Sequence, residues 1–76
     1  MMTVMIVDDE RIAREGLRDL VDWSALGLQV SFCASNGRQA LQWLDEHRVD
    51  IVITDIKMPQ MDGLELLRNM SERGFH

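Results

Sequence analysis

The apolar residues of this chain alternate between two periods. Residues 3–7, Thr-Val-Met-Ile-Val, form a short run that is almost wholly apolar, and residues 50–54 repeat it, as expected of strands covered on both faces in a parallel sheet. A further apolar stretch, Leu28 to Ala34, predicts a strand over residues 29–33. Elsewhere the spacing becomes that of a helix. Ile12, Ala13, Leu17, Leu20 and Val21 fall on one side of a helix over residues 11–21, with Arg14, Glu15, Arg18 and Asp19 elsewhere on it. Gly37, Ala40, Leu41 and Leu44 line a second helix up to Glu46, and Leu64, Leu66, Leu67 and Met70 line a third that ends before Gly74.

The joins carry their own start and stop signals. Gly27 ends the turn that Ser24 begins, and Ser35-Asn36-Gly37 supplies both a turn and a cap. Pro59 fixes its own φ and pushes Met58 out of the helical region, so the segment from Lys57 is a shaped loop. Asp62, with Glu65 three residues on, has capping-box spacing for the third helix. The order strand, helix, strand, helix, strand, helix with short joins implies an α/β fold with parallel strands, right-handed crossovers and helices on both sheet faces. No repeat or flexible linker divides the 76 residues, which permit one domain of marginal stability.

Two of the apolar runs end in acid. Asp8 and Asp9 follow the first, and Asp55 follows Ile51-Val52-Ile53-Thr54. Acidic groups just past the ends of parallel neighbouring strands converge, and three converging carboxylates repel unless a cation sits between them. Alone, Asp8-Asp9 reads as a turn or cap. Joined to Asp55 and the Lys57-Met58-Pro59 loop, it reads as a metal-dependent acidic pocket, with Asp62 as a helix cap near it.

Composition narrows the partners. Asp and Glu outnumber Lys and Arg by 13 to 8, a net charge of −5, so the chain lacks the positive field that nucleic-acid binding requires. No run approaches a membrane span of about 20 apolar residues, and the amino terminus is acidic where a signal peptide would be basic, which points to the cytoplasm. The single Cys33 excludes an internal disulfide and reads as a small buried apolar residue. His47 and His76 read as solvated, Trp23 and Trp43 as packing residues, and the methionines as core filler.

Asp8-Asp9-Glu10 and the run from Asp55 to Gly63, Asp-Ile-Lys-Met-Pro-Gln-Met-Asp-Gly, resemble the receiver domain of two-component response regulators. Arg14-Glu15-Gly16-Leu17, Asp22-Trp23 with Leu26-Gly27, and the run from Ala34 to Leu41 resemble receivers joined to AraC-type helix-turn-helix output domains. The resemblance implies a truncated flavodoxin-like (CheY-like) receiver, with three parallel strands in the order 2-1-3 and three helices. It implies that Asp55 accepts a phosphoryl group from a sensor histidine kinase. Asp9 would be a direct Mg²⁺ ligand, Asp8 a ligand through water, Asp55 a further member of the metal site, and Lys57 a ligand through its backbone carbonyl.

A complete receiver continues with two more strands and two more helices, which bring a Ser or Thr and a Lys to the phosphoryl group. On that comparison residues 1–76 form an incomplete receiver without strands 4–5, helices 4–5 or an output domain. Strand three would then be an apolar sheet edge, open to pairing in a homodimer or higher oligomer. The leading expectation is a phospho-acceptor module upstream of transcription regulation rather than an enzyme acting on an external substrate. The alternative is a non-phosphorylated receiver-like interaction module. A haloacid-dehalogenase-like phosphatase would place a second Asp where Lys57 stands.

Overall fold

The computed structural model describes residues 1–55 and 61–72. At its centre lies β1 (Met2–Val7), in which Val4, Met5, Ile6 and Val7 are each at most 1% exposed. β1 pairs in parallel with β2 (Leu28–Ala34) on one side and β3 (Ile51–Thr54) on the other, giving the order β2-β1-β3. A strand bonded at both edges and covered on both faces has no wet side, which accounts for its unbroken apolar sequence.

Side chains alternate across the sheet. Met5 and Val7 join Ala34, Ala40, Leu41, Val49, Leu66 and Met70 in the main core, built with α2 (Gly37–Leu44) and α3 (Gly63–Glu72). Val4 and Ile6 take the opposite face, where α1 (Arg11–Leu20) rests on β1 and β2. The caps are those the sequence predicts. Asn36 Oδ1 accepts from the Gln39 amide at 2.7 Å, and Asp62 Oδ1 accepts from the Glu65 amide at 2.8 Å. Gly27, at φ 73°, donates its amide to the Ser24 carbonyl at 3.0 Å and closes a single 3-10 turn over Ser24–Leu26. Gly37 is buried against Met61, and a Cβ there would lie 2.9 Å from the Met61 Cβ.

The predicted inner face of α1 requires correction. Ile12 and Leu20 are each 87% exposed, Ala13 is exposed too, and Leu17 and Val21 are only half-buried. Spacing reports which residues share a helix face, whereas burial needs a layer opposite that face. α1 rests on β1 and β2, and among the described residues no element covers the stripe from Ile12 to Leu20. Two other expectations are modified. Met1 and Met2 are exposed rather than core filler, and Cys33 is half-buried, its thiol pushed up by the desolvation that burial imposes. His47 is exposed, but its ring stacks on Trp43 at 4.5 Å, and Trp43 in turn stacks on Phe32 at 5.1 Å. His76 lies outside the described residues.

At the amino end of the sheet, Thr3 and Asp50 clasp β1 to the start of β3. The Thr3 amide and hydroxyl donate to Asp50 Oδ2 at 2.7 and 3.1 Å, and the Asp50 amide donates to the Thr3 carbonyl at 3.1 Å. These bonds, first the backbone one and then the hydroxyl, hold the Asp50 carboxyl below its ordinary value of 3.8. An unfolded chain then binds the proton at a higher pH than the folded one, so the clasp contributes stability above the ordinary carboxylate range and loses it as the pH falls through the depressed value. Asp50→Asn is therefore expected to melt below wild type at neutral pH, with a gap that narrows on acidification. Thermal melts of both chains from neutral to acid pH check this, and a constant gap would contradict it.

Candidate functional site

Register builds the site. The last triplet across the sheet aligns Val7 with Ala34 and Thr54, so the next residues of β1 and β3 leave the sheet side by side. The ladders run one step further, with the Asp8 amide donating to the Ala34 carbonyl and the Asp55 amide to the Val7 carbonyl, each at 3.1 Å. Asp8, Asp9 and Asp55 each bring a carboxylate oxygen to a common place, all within 4.8 Å of one another. Asp8 is half-buried, and Asp9 and Asp55 are exposed.

The donor set fits a small hard cation. Mg²⁺ takes oxygen ligands at about 2.0–2.1 Å, which places two oxygens on opposite sides of it about 4.2 Å apart. A cluster spanning up to 4.8 Å surrounds such an ion when one acid reaches it through water. Asp8 is engaged by the backbone. Its Oδ1 already accepts from the Glu10 amide at 2.9 Å, a turn that leads into α1, and a carboxylate retains a second oxygen for other partners. The turn expected at Asp8 is present and engages one oxygen of the group, while the N-cap position of α1 is Glu10, with no side-chain cap. Among the described residues, this is the cluster of acidic, histidine and cysteine side chains with the geometry to hold an ion.

The remaining sequence candidates divide. Lys57, and with it the expected carbonyl ligand, lies outside the described residues. Asp62 caps α3. One residue was missed: Arg14, assigned above to the polar side of its helix, is half-buried, and its guanidinium donates to the Asp8 carbonyl at 2.8 Å. A signal for it existed in the sequence. Side chains on a helix lean toward its amino terminus, so an arginine in the first turn after an acidic loop reaches back over that loop.

A parallel sheet in the order β2-β1-β3, with an acidic cluster at the carboxyl ends of neighbouring strands, is the architecture of CheY-like receiver folds. The chain is similar to the receiver domain of AraT, a response regulator from Geobacillus stearothermophilus, with a TM-score of 0.84 and 42% identity over 93% of this chain and 55% of that one. It is similar also to a two-component transcriptional regulator AraC from Clostridium phytofermentans, with a TM-score of 0.86 and 36% identity over 96% of this chain and 59% of that one. Among curated proteins, it is 39% identical over 71 residues to the transcriptional regulatory protein HptR of Staphylococcus aureus, covering 93% of this chain and 28% of that protein. It is 41% identical over 71 residues to the uncharacterized transcriptional regulatory protein YesN of Bacillus subtilis, 19% of whose length it spans. The chain belongs to the response regulator receiver domain family, which matches residues 4–76.

Proposed function

We propose that the chain is the phospho-acceptor part of a cytoplasmic two-component response regulator upstream of transcription, with Asp55 as the acceptor and a sensor histidine kinase as the donor. The reading rests on one observation: the sheet register gathers Asp8, Asp9 and Asp55 within 4.8 Å in a chain of the receiver family. A carboxylate oxygen of Asp55 attacks the phosphorus of a phosphohistidine, the phosphorus–nitrogen bond breaks, and the imidazole leaves with the electron pair and takes up a proton. The product is an acyl phosphate on Asp55. Bound Mg²⁺, held by Asp9 directly, Asp8 through water and Lys57 by its carbonyl, would supply screening between the two anions and stabilise charge on the phosphoryl oxygens. This is modification of the chain itself, not turnover of an external substrate.

The chain spans 28% and 19% of the curated relatives it matches, so control of transcription is attributed here to the whole regulator. A second reading, association through the sheet edge, is favoured by the exposure of Ile53 at 37%, with Ile12 and Leu20 exposed as well. An apolar strand edge is a template for pairing with another chain, and a two-fold arrangement covers two such edges at once.

Incubation with Mg²⁺ and a small phosphoryl donor is expected to add the mass of one phosphoryl group to the wild type and none to Asp55→Asn. The absence of an Asp55-dependent adduct in intact-mass spectra would remove the acceptor role. For the ion, thermal melts of Asp9→Asn are expected to cross those of the wild type. The variant melts higher in chelator, where one repelling charge is gone, and lower in saturating Mg²⁺, which stabilises only a chain that binds it. Parallel behaviour in both solutions would contradict a site at Asp9. For the edge, size-exclusion chromatography over a dilution series is expected to show a concentration-dependent dimer, and a folded monomer throughout would contradict it.

A further inference from the structure

We propose that Arg14 is a positioning residue for the acidic cluster, setting the peptide plane from which Asp9 projects; its bearing on metal binding rests on the Mg²⁺ reading above. The three arginines of α1 are differently engaged. Arg11 pairs with Glu15 at 3.2 Å and Arg18 with Asp19 at 2.7 Å, both on the exposed surface where such pairs contribute little. Arg14, half-buried, is directed instead to a backbone carbonyl, that of Asp8, at 2.8 Å.

The Asp8 carbonyl and the Asp9 amide belong to one rigid planar unit. Holding that carbonyl fixes the plane and the Asp9 Cα at its end. With the Glu10 amide of the next plane held by Asp8 Oδ1, rotation about the Asp9 N–Cα bond is limited too, and the two planes together set the direction in which the Asp9 side chain leaves the backbone. The other tethers of the loop act on its first acid: the Asp8 amide is held by Ala34 and the Asp8 carboxylate by the Glu10 amide. Asp9 is exposed and shares the 4.8 Å cluster with two groups of like charge, which push it outward when no cation is bound. Arg14 opposes that displacement from α1, whose first helical bond, Arg14 amide to Glu10 carbonyl at 2.9 Å, anchors the arginine end of the bridge, while the Glu10 amide ties the Asp8 end. Because the guanidinium is bonded to a carbonyl and not to a carboxylate, it organises the acids without occupying them.

Charge and position make opposite demands, so they separate experimentally. A fixed cation beside a cation site weakens ion binding electrostatically, whereas an ordered ligand loop strengthens it. Arg14→Lys keeps the charge but loses the reach and planarity of the guanidinium, and Arg14→Met removes both. In chelator, Arg14→Lys is expected to show faster amide hydrogen exchange at Glu10, with protection at Met5 and Ile6 unchanged. In a Mg²⁺ titration of the folded chain, followed by amide NMR shifts, its affinity is expected to fall about tenfold, the usual scale for groups that orient metal ligands. Wild-type exchange and affinity in Arg14→Lys would overturn the proposal, as would tighter Mg²⁺ binding by Arg14→Met with unchanged Glu10 exchange, the signature of a purely electrostatic role. Faster Glu10 exchange in Arg14→Lys, together with a wild type that binds no Mg²⁺, would uphold the anchor and overturn the metal reading alone.

Discussion

The structure depends on β1 being held on four sides at once. Its edges are bonded to β2 and β3, and its faces are sealed by α1 and by α2 with α3. A slip of one residue would exchange Met5 and Val7 with Val4 and Ile6 between two differently shaped layers, so the register is strongly specified. Val7 is therefore fixed level with Ala34 and Thr54, and whatever follows these residues emerges at one height. The acidic cluster is a consequence of that level ending. The Thr3–Asp50 clasp fixes the same two strands at the opposite end, so β3 is located against β1 from both termini of their pairing.

Location also decides what the cluster costs. Two like charges about 4 Å apart repel by about 1 kcal/mol in water and several times more at the lower effective dielectric near a protein surface. Asp9 and Asp55 are exposed, where water keeps the penalty small. The half-buried Asp8 has a backbone amide on its carboxylate. The described residues contain no buried polar side chain, so the sheet carries its charge only where it meets solvent.

Element order, strand direction and the convergence of Asp8, Asp9 and Asp55 were legible in the sequence because each follows from a short-range pattern: unbroken apolar runs, caps at Asn36 and Asp62, and acids at run ends. What was not legible is what depends on facing layers. The spacing of Ile12 and Leu20 specifies a stripe, but nothing local states whether anything lies opposite it, and both proved exposed. Cys33 likewise has the composition of a core residue and only a half-buried place. Arg14 was overlooked for a different reason. Periodicity classes a charged residue as outward-facing by type, whereas a long side chain in a first helical turn can lean back along the axis to a carbonyl six residues earlier.

α1 therefore serves the site by its first turn rather than by its apolar stripe. The contacts by which α1 and its lead-in hold the acidic loop, Glu10 amide to Asp8 and guanidinium to the Asp8 carbonyl, arise within residues 8–14, ahead of Leu20 and most of the uncovered stripe. The core that sets the strand register lies mainly on the other face, among Met5, Val7, Leu41, Leu66 and Met70. Covering or exposing the outer side of α1 changes how much apolar surface meets water, and so the stability of the chain. The geometry of the three carboxylates is set by a different group of interactions. The apolar exposure of this receiver and its acidic cluster are thus separately built: the first lies in the stripe and at Ile53, the second at the ends of β1 and β3 and in the turn that leads into α1.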